Sequence, residues 1–217
     1  MIVVFSGTDG AGKSTQIELL QSYLSSKNCK TKYLWARGGY TPLFSSVKNI
    51  ARWLLRKKLP GAGESKERDQ ILNKSSVSSL WLFIAILDLL FFYGIYARYC
   101  SILGYVVICD RYLEDTCLDF KRNFSGKFNE TGILWRALLL FAPKPNHSFL
   151  LYVPVEVSIE RSKLKKEPFP DSPETLKWRL DYYLNERYFP SSRFCKIDCQ
   201  QPVDTIQTII RNHIEAV

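Results

Sequence analysis

The sequence predicts an α/β fold, a parallel sheet covered by helices on both faces, and three observations carry that prediction. Short runs rich in β-branched and aromatic residues alternate with helix-length stretches along all 217 residues. The first of these runs passes directly into a glycine-containing turn and then into a helix-forming stretch. A composition of 46% hydrophobic and 24% charged residues supplies one sizeable core, so a single domain over 1–217 is expected. Parallel strands need crossover connections, and helices are the usual crossover.

Five strands are expected, at Ile2–Phe5, Thr31–Trp35, Tyr105–Cys109, Ser148–Val153 and Phe194–Asp198. Helices are expected at Lys13–Ser26, about Leu43–Arg56, Asp69–Ser79, Leu80–Cys100, Thr131–Phe141, Glu156–Lys165, Pro173–Arg187 and Val203–Ala216. Pro60–Asp69 (PGAGESKERD) reads as a polar loop, and no internal repeat or low-complexity tract interrupts the pattern. In such folds ligands collect at the carboxyl ends of the strands.

A net charge of +9 suits an acidic partner but does not choose among nucleic acid, anionic membrane and phosphorylated small molecules. No nucleic-acid reading module is recognisable, so no nucleic-acid partner is expected. The six cysteines are scattered and form no CxxC pair, which argues against a zinc site or a disulfide framework. The N-terminus lacks the basic and apolar regions of a signal peptide, which favours the cytoplasm. Leu80–Ala97 (LWLFIAILDLLFFYGIYA) approaches the length of a membrane span, but Asp88 interrupts it and a buried core helix explains the same composition. No membrane span is expected.

The turn after the first strand carries the sharpest signal. Gly7 to Ser14 reads GTDGAGKS and fits the GxxxxGK[ST] phosphate-loop pattern, with a strand before it and a helix after it as the pattern requires. Glycines at 7 and 12 let the backbone turn so that successive N–H groups face an anion at the positive end of a helix. The nucleotide-binding set is thus Gly7, Asp9, Gly10, Ala11, Gly12, Lys13, Ser14 and Thr15. Lys13 reaches the terminal phosphates and the Ser14 hydroxyl ligates Mg²⁺, so ATP and Mg²⁺ are the expected cofactors.

Three further segments, in order along the chain, make it resemble the thymidylate kinases, within the P-loop nucleoside monophosphate kinase superfamily. RGGYTP (Arg37–Pro42) looks like their REPGGTP segment, VVICDRY (Val106–Tyr112) like their third strand ending in DRY, and CKIDCQQPVDTI (Cys195–Ile206) like their last strand and adenine-side loop. The resemblance implies a P-loop NTPase three-layer sandwich with a five-stranded parallel sheet, a lid at about 161–173, and a homodimer packed through helices. It implies an ATP-dependent kinase acting on a phosphorylated small-molecule acceptor, with dTMP the family's default. Asp9 matches the acidic loop residue that contacts the acceptor sugar. Asp110 matches the residue that holds Mg²⁺ through water, and Arg111 then faces the phosphates, where a planar guanidinium binds two oxygens at once.

Lys13, Asp9, Arg111 and Arg161 form the expected catalytic set. Arg161, with Lys163, Lys165 and Lys166 behind it, resembles the lid that closes cations over ATP, and Gly10 stands where some family members carry arginine. For the acceptor, Asp9, Arg37, Phe83 and Arg111 are the candidates. Here the chain departs from the family: Leu82–Leu90 stands where LFAADRAQH is usual, so Phe83 has a match and the phosphate-binding arginine does not. The residues after DRY also lack the base-contacting pattern. A non-thymidylate acceptor on the same scaffold (a sugar, a glycolipid precursor or a nucleoside) therefore stays open, as does a nucleotide-binding module without turnover.

Overall fold

The computed structural model describes residues 1–35, 75–124, 126–165 and 171–215, with side chains from residue 79 in the second stretch. Arg37, the RGGYTP segment, the helix expected at Leu43–Arg56, the Pro60–Asp69 loop and Lys166 lie outside the described residues. The chain divides into two compact units, one formed by Met1–Trp35, Tyr99–Asp115 and Lys144–Val217, the other by Ala36–Arg98 and Thr116–Pro143.

The first unit holds the whole sheet: β1 (Ile2–Gly7), β2 (Thr31–Trp35), β3 (Val106–Asp110), β4 (His147–Tyr152) and β5 (Cys195–Asp198), all parallel, in the order β2-β3-β1-β4-β5. Phe5 of β1 pairs with Asp110 of β3 and Gly7 pairs with Leu151 of β4, so the ends of these three strands come together. All six residues of β1 are buried, as expected of a strand covered on both faces.

One face is a core of Val3, Phe5, Ile108, Phe149 and Leu151, packed with Ile17, Leu20 and Leu24 of α1 (Lys13–Ser26) and Ile206 and Ile210 of α8 (Val203–Glu215). The spacings 17, 20, 24 and 206, 210 put these side chains on one stripe of each helix. Each such residue taken out of water contributes roughly 1.5–3 kcal/mol. The unit also contains α6 (Val155–Leu164) and α7 (Pro173–Leu184). Proline at the first turn and Ser172 accepting a hydrogen bond from Thr175 N (3.3 Å) start α7 where the sequence places it.

In the second unit, α2 (Ser75–Leu89) continues through a π-wound stretch, Leu90–Ala97, which leads into α3 (Arg98–Ile102) of the first. The expected break between Ser79 and Leu80 is absent: no glycine or proline interrupts the chain there, and Ser78 and Ser79 lie within the helix. Leu82, Ala85, Ile86, Leu89, Tyr93 and Ala97 are buried, and so is Asp88 at 4% exposure. Leu80, Phe83, Leu87, Phe91 and Ile95 are exposed. The expected core helix is thus buried along one face only, although it is long and apolar enough by composition to cross a membrane. Arg98 donates to the Phe141 carbonyl (2.9 Å) at the end of α5 (Ile133–Phe141).

Helix α4 (Leu113–Asn123) was not expected from the sequence. Its inward positions include Asp115, Thr116 and Asp119, all buried, so the apolar period that marks a helix is masked by polar residues.

A candidate nucleotide-phosphate site

The loop from Gly7 to Gly12 is built by backbone geometry. Gly7 has φ 137°, and a Cβ there would lie 1.8 Å from the carbonyl oxygen of Leu151, so only glycine lets β1 turn away beside β4. Thr8 N donates to Leu151 O (3.1 Å), and Thr8 Oγ1 accepts from Val153 N (3.2 Å), which ties the loop to the end of β4. Gly12, left-handed at φ 83°, is the N-cap of α1, so the free N–H groups of that helix's first turn open towards the loop.

Helix α6 holds the loop from another side. Ser158 Oγ donates to Asp9 O (2.6 Å), and Arg161 donates through one terminal nitrogen to Gly10 O and through the other to Cys199 O, each at 3.0 Å. Arg161 therefore bridges the loop and the end of β5, a contact that its reading as a lid cation did not anticipate.

Lys13 is buried and folds back over the loop, donating to Gly7 O (3.0 Å) and Thr8 O (2.7 Å), with Asp9 at 4.0 Å. Burial above all, and then the Arg111 guanidinium, lower its pKa to about 8 against the opposing pull of Asp9, Asp110 and Asp115. Ser14 and Thr15 are exposed in the first turn of α1, and Ala11 is buried in the core.

Asp110 ends β3 with one carboxylate oxygen, Oδ2, accepting from Tyr33 Oη (3.0 Å). Its Oδ1 is buried and has no hydrogen-bond partner among the described residues. A buried carboxylate oxygen left open at a strand end suits a hydrated divalent cation, and the Ser14 hydroxyl, exposed at the head of α1, is an oxygen donor of the kind Mg²⁺ takes. Tyr33, whose pKa is raised by burial and then by Asp110, stays a protonated donor.

Arg111 adopts a left-handed conformation, φ 75°, uncommon for a residue with a side chain and held here by its N–H donating to Phe5 O (2.8 Å). Its guanidinium donates to Asp9 Oδ1 (2.6 Å) and to Tyr183 Oη (2.9 Å), with Asp115 Oδ1 at 3.5 Å. Asp9, Lys13, Asp110, Arg111 and Arg161 thus all belong to the first unit, whereas Phe83 belongs to the second, with its ring on the exposed side of α2.

Several participants escaped the sequence reading. Ser158 and Tyr183 carry no motif, Tyr33 reads only as a strand residue, and Ser6 falls between the expected strand Ile2–Phe5 and the loop. Asp115 had one usable signal: it falls three residues after Tyr112, where a side chain can reach back to cap a helix start, and it does accept from Tyr112 N (3.1 Å).

No family model matches the chain. It is 28% identical over 214 residues to a thymidylate kinase of Sulfurihydrogenibium sp. (strain YO3AOP1), covering 96% of this chain and 93% of that protein. It is 28% identical over 210 residues to a thymidylate kinase of Desulfotalea psychrophila (strain LSv54 / DSM 12343), covering 95% and 90%. A thymidylate kinase of Teredinibacter turnerae (strain ATCC 39867 / T7901) is 24% identical over 225 residues, covering 99% and 97%.

Proposed function

We propose that this chain, assigned to the thymidylate kinase family by a similarity that runs over nearly its whole length, transfers the γ-phosphoryl group of ATP to a nucleoside monophosphate. The observation that carries the reading is the Gly7–Ser14 loop with Lys13 and Arg111 converging on it. The whole chain is read as one kinase domain with a lid at about 161–173, working in the cytoplasm. The exposed apolar row on α2 supports a homodimer packed through helices.

Phosphoryl transfer requires positioning and positive charge around the equatorial oxygens. ATP phosphates offer Lys13 charged oxygens in place of the neutral carbonyls of Gly7 and Thr8, and they compete with Asp9 for the Arg111 guanidinium. The free N–H groups at the head of α1 add fixed positive potential on the same side. Asp110 and Ser14 would hold Mg²⁺, which supplies further neutralisation of the phosphates when bound. Asp9, once the phosphates take Arg111 from it, is placed to accept a hydrogen bond from the acceptor sugar. Arg161 fixes the shape of the loop through Gly10 and is the candidate cation at the mouth of the lid.

For the acceptor, dTMP is the family default. A second reading, a non-thymidylate acceptor, is favoured by one observation: Leu87, followed by Asp88, stands where the family's LFAADRAQH has its phosphate-binding arginine. Losing such a charge-assisted bond costs about 1.5–3 kcal/mol. Steady-state phosphorylation with Mg-ATP across the nucleoside monophosphates, nucleosides and phosphorylated sugars decides between them. A kcat/KM for dTMP above about 10⁴ M⁻¹s⁻¹ upholds the thymidylate reading, and turnover confined to another acceptor upholds the second. No turnover with any acceptor overturns the kinase.

A further inference from the structure

We propose that Tyr183, on α7, is a positioning residue that holds Arg111 in register with the phosphate loop, an inference that rests on the reading of Arg111 as a phosphate ligand. Tyr183 is fully buried, its ring packs on Phe189 at 4.9 Å between centroids, and it comes from a helix 72 residues further along the chain than Arg111. Its hydroxyl sits between two opposite charges. It accepts from Arg111 (2.9 Å) and donates to Asp115 Oδ1 (2.8 Å).

Asp115 is 1% exposed and has both oxygens engaged: Oδ1 by Tyr183 and, at 3.5 Å, by Arg111; Oδ2 by Ser6 Oγ (2.6 Å) and Tyr112 N (3.1 Å). This network ties Arg111 to β1 through Ser6, to the turn after β3 through Tyr112, and to α7 through Tyr183. A buried carboxylate with four donors has one well-defined place, and the phenol passes that definition on to the guanidinium. Burial raises the pKa of Tyr183, which keeps the hydroxyl a donor to Asp115 throughout the working range.

The two sides of Arg111 therefore differ. The bond to Asp9 involves a partly exposed carboxylate on the loop, and an incoming phosphate can replace it. The bond to Tyr183 lies in the interior and faces no ligand. Removing the Tyr183 hydroxyl takes away the 2.9 Å bond that aims the guanidinium and keeps the longer Asp115 contact, so Arg111 loses direction while the ring keeps the core filled.

A double-mutant cycle tests this, reading the Kd of a non-hydrolysable ATP analogue with Mg²⁺ by calorimetry, and kcat in parallel. Arg111→Ala is expected to raise Kd about 10-fold or more and Tyr183→Phe about 5-fold, as expected for a charge-assisted bond lost directly or through its support. In the Arg111→Ala background, Tyr183→Phe is expected to change Kd less than about 2-fold, because its effect runs through the arginine. An equal effect in both backgrounds makes Tyr183 merely structural and overturns the proposal, as does less than a 2-fold effect in the native background. Should Tyr183→Phe fail to fold, Asp115→Asn is taken through the same cycle with the same outcomes. Coupled binding effects in a protein that phosphorylates no acceptor leave the positioning role standing and overturn the kinase reading. Turnover without coupling does the reverse.

Discussion

The phosphate loop and the long helix beginning at Ser75 are equally conspicuous in the sequence, and they differ in how much of their structure their own residues determine. In the loop, the turn is marked by glycines within a few positions of one another, φ 137° at Gly7, φ 75° at Gly10 and φ 83° at Gly12, followed by a helix, and β4 and α6 then hold that turn in place. In the long helix, composition specifies that it is helical and apolar, but not which face is covered. Leu82, Ala85, Ile86 and Leu89 are buried, whereas Leu80, Phe83, Leu87 and Phe91, of the same chemical type, are exposed. Local backbone requirements can be read from order along the chain; burial depends on partners that order does not name.

Four measurements break or sharpen that comparison. Gly7→Ala should have the largest effect: with a Cβ forced against Leu151 O and a disfavoured φ, stability should fall by about 4 kcal/mol, read as a Tm lower by roughly 8–16 °C. A loss under about 1 kcal/mol would mean that the loop is not so tightly determined. Lys13→Ala should cut kcat on the order of 10²-fold while leaving the circular dichroism of the native fold, since among the described residues Lys13 bonds only to loop groups. A drop of less than threefold with ATP still bound would move the phosphate ligand elsewhere.

On the long helix, Leu87→Glu and Phe91→Glu together should change Tm by only a few degrees, because both side chains are exposed, yet convert the proposed dimer to a monomer in analytical ultracentrifugation. A large fall in Tm would show that this row is packed inside the monomer. The smallest effect concerns His147, buried at the start of β4 beside His213 with ring centroids 5.5 Å apart. Burial first, and then the neighbouring imidazole, lower its pKa, so protonation favours the unfolded chain and stability is lost as pH falls below the ordinary histidine range. His147→Gln should flatten the Tm profile below the ordinary histidine range, and an unaltered profile would assign the dependence to other groups.

Much of the fold was legible. All five strands were located to within one or two residues, because each is a short apolar run bounded by turn residues, and the parallel order follows from the helices between them. Helix α4 was missed because Asp115, Thr116 and Asp119 point inward, and a polar buried face hides the period that marks a helix. In the candidate site, Gly7, Lys13 and Asp110 could be singled out from the sequence because each belongs to a local pattern. The role of Arg161 as a bridge between Gly10 and Cys199 was not, because its two acceptors are backbone carbonyls, which carry no residue identity.

By itself, the order of residues determined that β1 ends in a tight glycine turn capped by a helix, that Lys13 stands at the head of that helix, and that Asp110 ends a buried strand with Arg111 just after it. These are consequences of backbone sterics and hydrophobic period, which act over a few residues. Only the tertiary structure decided that Lys13 rests on the carbonyls of Gly7 and Thr8, and that Arg111 is shared by Asp9, Tyr183 and Asp115. The register between β1 and β4 set the clash that forbids a side chain at Gly7. Hydrogen bonds between residues 72 or 151 positions apart depend on where whole helices pack, and that is settled by burial of the shared core rather than by the polar residues themselves.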